Sequence, residues 1–181
     1  MLRAFLSIAI CIAFLTPIRA QQTPTADAVL KTAYKLAARE HKNVIVIFHA
    51  SWCGWCHKLD SAIQDPVCKQ LFNDNYVITH LTVLESPGKK QLENAGAQEL
   101  LTKYKGDKEG IPFFLIFDAN GKFLADSKYR TAAKPEGSNM GCPATNDEVN
   151  AFLAVLKNTS NLKDDQLDII AERFKKNSPT S

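Results

Sequence analysis

The chain has 181 residues, of which 45% are hydrophobic and 23% are charged, and its 22 basic and 19 acidic side chains give a net charge of +3. This length fits one ordinary domain and excludes a large multidomain assembly, and the dispersed, nearly balanced charges do not indicate a nucleic-acid partner. The five cysteines indicate thiol, disulfide or metal chemistry.

The first twenty residues have the pattern of a secretory signal peptide. Arg3 precedes an apolar run over residues 4–16, and Ala20 ends the segment before a polar sequence begins. Because the apolar run is too short to span a bilayer comfortably, we predict cleavage after Ala20; the alternative is a retained membrane anchor. Removal of Arg3 and Arg19 would lower the net charge from +3 to about +1.

Cleavage would leave one exported domain. We predict a signal peptide at 1–20, a folded domain at 21–158, and a C-terminal helical extension and tail at 159–181. Export means the periplasm in a bacterium and secretion otherwise, and no membrane attachment is expected after cleavage. The exported chain would meet an oxidising environment, in which disulfides form and persist.

A helix and a buried strand open the predicted domain. Apolar residues recur at helical spacing from Thr25 to His41, with Thr25 as a suitable N-cap, so we predict an amphipathic helix that packs on a sheet. Residues 44–48 are continuously apolar. This pattern is typical of a strand that is covered on both faces in a mostly parallel sheet.

Two cysteines follow this strand at CxxC spacing, in the sequence WCGWC of residues 52–56. The turn should deliver Cys53 to a helix N-terminus, where unpaired N–H groups and the helix dipole favour a thiolate. We therefore predict Cys53 as the attacking nucleophile. Cys56 is three residues further on the same helical face, so it can close a disulfide that releases whatever Cys53 has captured.

The following segments alternate between helix and strand patterns. After the cysteine pair, a helix should run to Gln64, break at Asp65-Pro66 and resume through Phe72, because proline interrupts helices. We further predict a strand at 76–83, a loop at 84–95, a short helix at 98–104, and a hairpin of strands at 113–117 and 122–126.

The C-terminal part contains one predicted loop and two predicted helices. Residues 127–144 hold two prolines and two glycines with little periodicity, so we predict a long loop. Thr145 and Glu148 have capping-box spacing and should begin a helix. A final helix near 164–176 has an ordinary apolar stripe, which favours a strap over the domain rather than a partner-binding helix.

The WCGWC sequence between a strand and a helix resembles the active site of the thioredoxin superfamily. A second match is the sequence EGIPFFLIFDANGK at 109–122, which resembles that family's cis-proline, strand, tight turn and following strand. The likeness covers about residues 26–158. It implies an α/β thioredoxin-like fold, with a central mixed sheet of about four strands, helices on both faces and an extra C-terminal helix.

The resemblance also implies a function. The protein would be an exported thiol–disulfide oxidoreductase whose only redox group is the Cys53–Cys56 disulfide, with no other cofactor. Its partners would be protein thiols and disulfides and an unidentified protein that recycles the cysteine pair; the chain is expected to be a monomer. Whether it acts as reductase, oxidase or isomerase stays open. The predicted substrate contacts are Trp52, Gly54, Trp55, Ile111, Pro112 and Cys142.

The sequence departs from the thioredoxin pattern at a position that matters for proton transfer. Thioredoxins keep a buried acid six residues before the nucleophile, where this chain has Ile47. The lysine that partners this acid would fall near His80. We predict that His80, or a water, accepts the proton of Cys56. The alternative is that His80 has its hydrogen-bond partners within the sheet and no role in proton transfer. His57, next to Cys56, is the second candidate for proton handling.

The other two cysteines of the predicted domain have separate interpretations. Cys142 aligns with the segment that lies beside the active site in thioredoxins, so it is either part of the substrate surface or an auxiliary thiol. Cys68 should lie too far along the helix from Cys56 to form a bridge with it. A bridge between Cys68 and Cys142 is also not expected, and we predict that Cys68 is a small buried hydrophobe.

Two other interpretations of the cysteine pair stay open. Residues 53–57 also satisfy the CxxCH signature of c-type haem attachment, and Met140 could be offered as a sixth ligand. That signature does not require the preceding strand or the Ile-Pro hairpin. Alternatively, the pair is only a structural disulfide in a binding module. No metal site is expected, because one CxxC lacks a second ligand pair at zinc-site spacing.

Overall fold

The computed structural model describes residues 23–178. The predicted signal peptide at 1–20 lies outside the described residues. In chain order, the helices and strands are α1 Ala26–Glu40, β1 Asn43–His49, α2 Gly54–Ile63, α3 Lys69–Asn75, β2 Tyr76–Thr82, a 3-10 helix Pro87–Leu92, α4 Ala97–Lys103, β3 Phe113–Phe117, β4 Phe123–Asp126, β5 Lys128–Thr131, β6 Lys134–Asn139, α5 Asn146–Thr159 and α6 Asp164–Lys175.

Four strands form a mixed sheet in the order β2-β1-β3-β4. The strands β1 and β2 are parallel, whereas β3 is antiparallel to both β1 and β4. Five consecutive side chains of β1, from Val44 to Phe48, are buried because helices cover both faces of the sheet. The predicted fold class, a four-stranded mixed sheet with helices on both faces and an extra C-terminal helix, is confirmed.

The alternation of side chains along β1 divides the core in two. Ile45 and Ile47 belong to a cluster with residues of α2, α3, α5 and α6. Val44, Val46 and Phe48 belong to a second cluster with residues of α1 and α4. Successive residues of a strand point to opposite faces, so one apolar run supplies both clusters.

The last helix completes the first of these clusters. Phe174 of α6 is fully buried, and its ring lies 4.9 Å from that of Phe152 and 6.2 Å from that of Phe72, measured between centroids. Burial of one such side chain contributes about 1.5–3 kcal/mol. The prediction that α6 is a strap over the domain is therefore confirmed.

The structure corrects two loop predictions. The segment 127–144 was expected as a loop, but it contains the β5–β6 hairpin. Pro135 and Gly137 are typical of loops, so the strand was not predicted from the sequence. Gly137 has a φ of 86°, and a Cβ there would lie 2.9 Å from the Cβ of Lys128. In the predicted loop 84–95, residues 87–92 form a 3-10 helix with Pro87 in its first turn.

The remaining boundaries agree with the predictions to within a few residues. The break at Asp65-Pro66 separates α2 from α3, and Thr145 caps α5 with both hydrogen bonds of a capping box. Across residues 23–178, no helix combines the length and the apolar character that a bilayer crossing needs.

Candidate active site

The Cys53–Cys56 disulfide lies where β1 has ended and α2 begins. Cys53 is the N-cap of α2, and the backbone N–H of Cys56 donates a hydrogen bond to the Cys53 sulfur at 3.1 Å. The two sulfurs are bonded, with Cα atoms 5.3 Å apart. The first turn of α2 contains no acidic residue. After reduction, the free N–H groups and the positive end of the helix dipole therefore favour a thiolate at Cys53.

The loop that precedes β3 lies against this disulfide. The Ile111–Pro112 peptide bond is cis. The carbonyl oxygen of Ile111 is 3.6 Å from the Cys53 sulfur, and the Ile111 side chain packs on the cluster of Ala50, Cys53 and Cys56. The structure thus brings the predicted Ile111 and Pro112 to the disulfide.

Two tryptophans flank the cysteine pair. Trp52 is 59% exposed, and its indole N–H donates to the carbonyl oxygen of Leu84 at 2.8 Å. Trp55 is 46% exposed, with the Lys58 ammonium 4.8 Å from its ring centroid. Gly54 lies between them in open surroundings, since a Cβ there would meet no atom within 4 Å. Both indole rings are therefore available to a bound polypeptide.

Four of the six predicted substrate-contact residues line one groove of about 370 Å³: Trp55, Ile111, Pro112 and Cys142. The Cys142 thiol is buried and accepts a hydrogen bond from the side-chain amide of Asn177 at 3.4 Å. Burial raises the pKa of Cys142 to about 12. Cys142 therefore borders the groove as a neutral thiol, which does not fit a nucleophilic role.

The structure places Cys68 at the N-terminus of α3, inside the cluster of α2, α5 and α6. Burial raises its pKa to about 11, and its thiol is free. The prediction that Cys68 is a small buried hydrophobe is confirmed.

The histidines proposed for proton handling are not hydrogen-bonded to either sulfur within the described residues. His57 is exposed and its Nε2 lies 3.2 Å from the carbonyl oxygen of Ser51. The Nε2 atom of His80 lies 2.8 Å from Oδ1 of Asp60. His80 also pairs in register with Ile47, as expected from the resemblance. Any proton transfer between His80 and Cys56 must therefore pass through another group.

A second histidine lies beside His80. The two ring centroids of His49 and His80 are 5.0 Å apart. Burial, and then the neighbouring His80, lower the pKa of His49. His49 is thus held in its neutral form more strongly than a free histidine.

Glu85, which no sequence pattern indicated, holds the turn before Cys53. One carboxylate oxygen accepts the Ser51 backbone N–H, and the other accepts the Ser51 hydroxyl at 2.9 Å. The backbone hydrogen bond from Ser51 is the main reason why the pKa of Glu85 is lowered. Glu85 follows Leu84, a non-glycine residue with a φ of 54°. No local pattern in the sequence marks this contact, because it joins residues 34 positions apart.

Asn139 was also missed, and it holds the other side of the site. Its side-chain amide nitrogen lies within 3.3 Å of three carbonyl oxygens of the cis-proline loop, those of Glu109, Gly110 and Pro112. Its amide oxygen accepts from Gly141 N–H at 3.0 Å and from the Ser127 hydroxyl at 2.7 Å. The end of the hairpin thereby fixes the loop that carries the Ile111 carbonyl.

An ion pair adds a second attachment between the hairpin and this loop. The buried Lys128 ammonium is 2.8 Å from a carboxylate oxygen of Glu109. This hydrogen bond lowers the pKa of Glu109. The hairpin that was expected as a loop is therefore part of the framework of the site.

A larger groove lies elsewhere in the described part of the chain. It has a volume of about 710 Å³ and runs along α6, where charged side chains such as Lys58, Asp65 and Arg173 line it. It contains neither Cys53 nor Cys56. Chemistry rather than volume therefore identifies the candidate site.

The haem interpretation finds less support in this geometry. Haem attachment would use the sulfurs of Cys53 and Cys56, but these are bonded to each other. Among residues 23–178, no group of three or more His, Cys, Asp or Glu side chains is arranged to hold a metal ion.

Comparison with known proteins identifies one family. The sequence profile of a family described as thioredoxin-like matches residues 25–119, just over half of the chain. Among curated proteins, the thiol:disulfide interchange protein DsbD of Photorhabdus laumondii is 28% identical over 94 residues, which cover 51% of this chain and 15% of that protein. The chain thus matches only a small part of that relative's length.

Solved structures give more distant matches. A disulphide isomerase from Xylella fastidiosa is 18% identical, with 92% of this chain and 98% of that chain covered and a TM-score of 0.48. The C-terminal domain of DsbD from Neisseria meningitidis in the oxidised form is 22% identical, with coverage of 57% and 84% and a TM-score of 0.40.

Proposed function

The chain belongs to the thioredoxin-like family, and from this premise we propose that it is an exported thiol–disulfide oxidoreductase that acts on other proteins. The observation that carries the proposal is the Cys53–Cys56 disulfide at the N-terminus of α2, with the Ile111 carbonyl oxygen 3.6 Å from the Cys53 sulfur. A redox-active pair needs one cysteine in a position that favours a thiolate and a second within bonding distance; Cys53 caps α2, and Cys56 is bonded to it.

The exchange proceeds through a mixed disulfide. The Cys53 thiolate attacks one sulfur of a substrate disulfide, and the other substrate sulfur leaves as a thiolate. The Cys56 thiolate then attacks the Cys53 sulfur, which re-forms the Cys53–Cys56 disulfide and releases the second substrate thiolate. The substrate gains two electrons and the protein loses two. The reverse sequence oxidises a substrate dithiol, and the potentials of the two pairs decide the direction.

Cys53 is the better attacking group of the two. It exposes 4% of its surface and Cys56 exposes 1%. The N–H of Cys56 already donates to the Cys53 sulfur, and a hydrogen bond to a thiolate lowers its pKa. Cys56, the more buried of the two, serves as the resolving cysteine.

The substrate polypeptide would lie across the cis-proline loop. Trp52, Gly54 and Trp55 form one side of this platform, and the groove beside Ile111, Pro112 and Cys142 forms the other. An extended chain can pair with the backbone of Ile111 while its cysteine reaches Cys53.

Deprotonation of Cys56 needs an acceptor. We assign this role to the His80–Asp60 pair acting through water, because Asp60 follows Cys56 by one helical turn on α2. His57 is the second candidate. A His80→Ala variant should change the pH profile of the resolving step, and an unchanged profile would exclude His80.

The proposal of export is supported by the sequence of residues 1–20, which has the features of a signal peptide. In a bacterial host the compartment would be the periplasm. The protein would act as a monomer without a further cofactor, and a separate redox protein would return the cysteine pair to its active state.

A trapping experiment tests the proposal. A Cys56→Ser variant lacks the resolving cysteine, so its reaction with insulin should stop at a mixed disulfide that non-reducing electrophoresis detects. The matched Cys53→Ser variant should trap nothing. Equal trapping by both variants, or by neither, would contradict the assignment, and an absence of any exchange by the unmodified protein would support a structural disulfide instead.

A further inference from the structure

Exposed apolar side chains surround the entrance to the disulfide. Trp52 is 59% exposed, Trp55 is 46% exposed and Leu84 is 37% exposed. Trp52 and Leu84 are joined by the hydrogen bond from the Trp52 indole to the Leu84 carbonyl. We call these three residues the apolar rim. Large apolar side chains that stay exposed around a reactive group are typical of a surface that binds a partner.

Basic side chains stand next to the apolar rim. The Lys58 ammonium lies 4.8 Å from the Trp55 ring centroid and donates to the carbonyl oxygen of Asn177. The Lys89 ammonium donates to the hydroxyl of Ser51, at 3.3 Å. Within the described part of the chain, neither lysine forms an ion pair with a carboxylate. The exposed His57 lies on the same surface.

The acidic residues near the disulfide are occupied by other partners. Asp60 pairs with His80, and Glu148 accepts the backbone N–H groups of Ala144 and Thr145 in the capping box. Glu85 offsets part of the Lys89 charge through space, but it is buried and both of its oxygens accept from Ser51.

Glu93, which lies further from the disulfide, is also hydrogen-bonded within the protein. Glu93 accepts from the Lys90 ammonium and from the backbone N–H of Glu85, both at 2.7 Å. The positive end of α2 adds to the same field, because its first turn holds no acid. The ammonium groups of Lys58 and Lys89 thus stand beside the apolar rim without an ion-pair partner among the described residues, whereas Asp60, Glu85 and Glu148 are hydrogen-bonded within the protein.

We propose that this surface selects client polypeptides in which acidic and apolar residues flank the exchanging cysteine. The inference rests on the proposed function and specifies its substrate class. An aromatic or aliphatic side chain of the client contacts the apolar rim, and a carboxylate next to its cysteine meets Lys58 or Lys89. The exchange chemistry is unchanged and needs no additional reactant.

The test compares three disulfide-linked peptides with the same apolar residue and the same cysteine. Two residues beside the cysteine are Asp in the first peptide, Ser in the second and Lys in the third. The reduced protein should attack the Asp peptide about three- to tenfold faster than the Lys peptide at low ionic strength. The ratio should fall towards one above about 0.5 M salt, because salt screens exposed charges.

Variants assign the effect to the two lysines. A Lys58→Ser, Lys89→Ser double variant should lose most of the preference. A Lys31→Ser, Lys35→Ser double variant removes the same charge from exposed positions on α1, on the other face of the sheet, and should keep the preference. Each peptide's intrinsic reactivity cancels when its rate with the variant is divided by its rate with the unmodified protein. The single Lys89→Ser variant changes only an exposed side chain, so it should fold normally. It should lose part of the preference even if the double variant misfolds.

The outcomes separate the two proposals. Equal rates for all three peptides would overturn the substrate preference and leave the proposed function intact. A preference that survives in the Lys58→Ser, Lys89→Ser variant would overturn its assignment to this surface. A reduced protein that exchanges with none of the peptides would contradict the proposed function itself.

Discussion

Cys53 and Cys68 both stand at the start of a helix, and their environments are opposite. Cys53 caps α2, receives the N–H of Cys56 on its sulfur and lies among exposed tryptophans. Cys68 caps α3, makes no side-chain cap hydrogen bond and is fully buried, so its pKa is raised to about 11. A helix N-terminus does not by itself activate a cysteine. The N–H groups must reach the sulfur, and the sulfur must be accessible to a substrate.

The largest effect that this comparison predicts is the loss of activity on substitution of Cys53. A Cys53→Ser variant should lose at least about a thousandfold in exchange rate, because a hydroxyl is not ionised near neutral pH. A Cys68→Ser variant should keep its exchange rate but lose about 1–3 kcal/mol of unfolding free energy, because a hydroxyl is buried without a partner. Insulin reduction and urea unfolding measure the two effects.

A Cys68→Ala variant is the control for the buried site, since it removes the thiol without adding a hydroxyl. The comparison fails if Cys68→Ser loses exchange activity while its unfolding free energy stays at that of the unmodified protein.

The next prediction concerns the cis-proline loop, which lies against Cys53 and is a feature of the active-site cysteine. An Asn139→Ala variant removes the amide that bonds to Glu109, Gly110 and Pro112. We expect kcat/KM to fall about tenfold, because a displaced backbone no longer positions the substrate. Steady-state kinetics with insulin would show the loss.

Arg130→Ala provides the matched control. Arg130 lies on the same hairpin and makes a bidentate pair with Asp126, and within residues 23–178 none of its hydrogen bonds reaches the cis-proline loop. If both variants lose kcat/KM equally, general weakening of the hairpin explains the result rather than the Asn139 contacts.

The smallest effect concerns Glu85, which supports the turn before Cys53. The pKa of Glu85 is below its ordinary value of 4.5, mainly through the hydrogen bond from the Ser51 backbone. A carboxyl with a lowered folded-state pKa stabilises the protein above about pH 4.5, and this stabilisation disappears as the pH falls further. A Glu85→Gln variant should therefore have a lower free energy of unfolding than the unmodified protein at pH 7. At pH 3 the two free energies should become similar.

Urea unfolding at the two pH values measures this difference, and contributions from other carboxyl groups cancel in the comparison. A difference that stays constant between pH 7 and pH 3 would show that the Glu85 charge does not stabilise the turn.

Those parts of the site that depend on residues close together in the chain could be predicted from the sequence. The strand from Val44 to Phe48, the cysteine pair at the start of α2 and the capping box at Thr145 each follow from a short pattern of residues. The fold class also follows, because the motifs around Cys53 and Pro112 resemble one known family.

The sequence does not predict the supports of the site, because these join distant segments. Glu85 meets Ser51 and Asn139 meets Gly110 only after the sheet has formed. The hairpin was missed because Pro135 and Gly137 are typical of loops and interrupt the alternation of a strand. The pairing of His80 with Asp60 was also not predicted, because this contact depends on how α2 packs on β2.

The reduction potential of the Cys53–Cys56 pair tests the account most directly. The folded protein would be equilibrated in dithiothreitol and glutathione buffers, and mass spectrometry after alkylation would report each cysteine separately. We predict that Cys53 and Cys56 titrate together as a two-electron couple between about −270 and −120 mV, while Cys68 and Cys142 stay as unreactive thiols. A pair that resists reduction below about −300 mV until the protein unfolds would be a structural disulfide and would contradict the account.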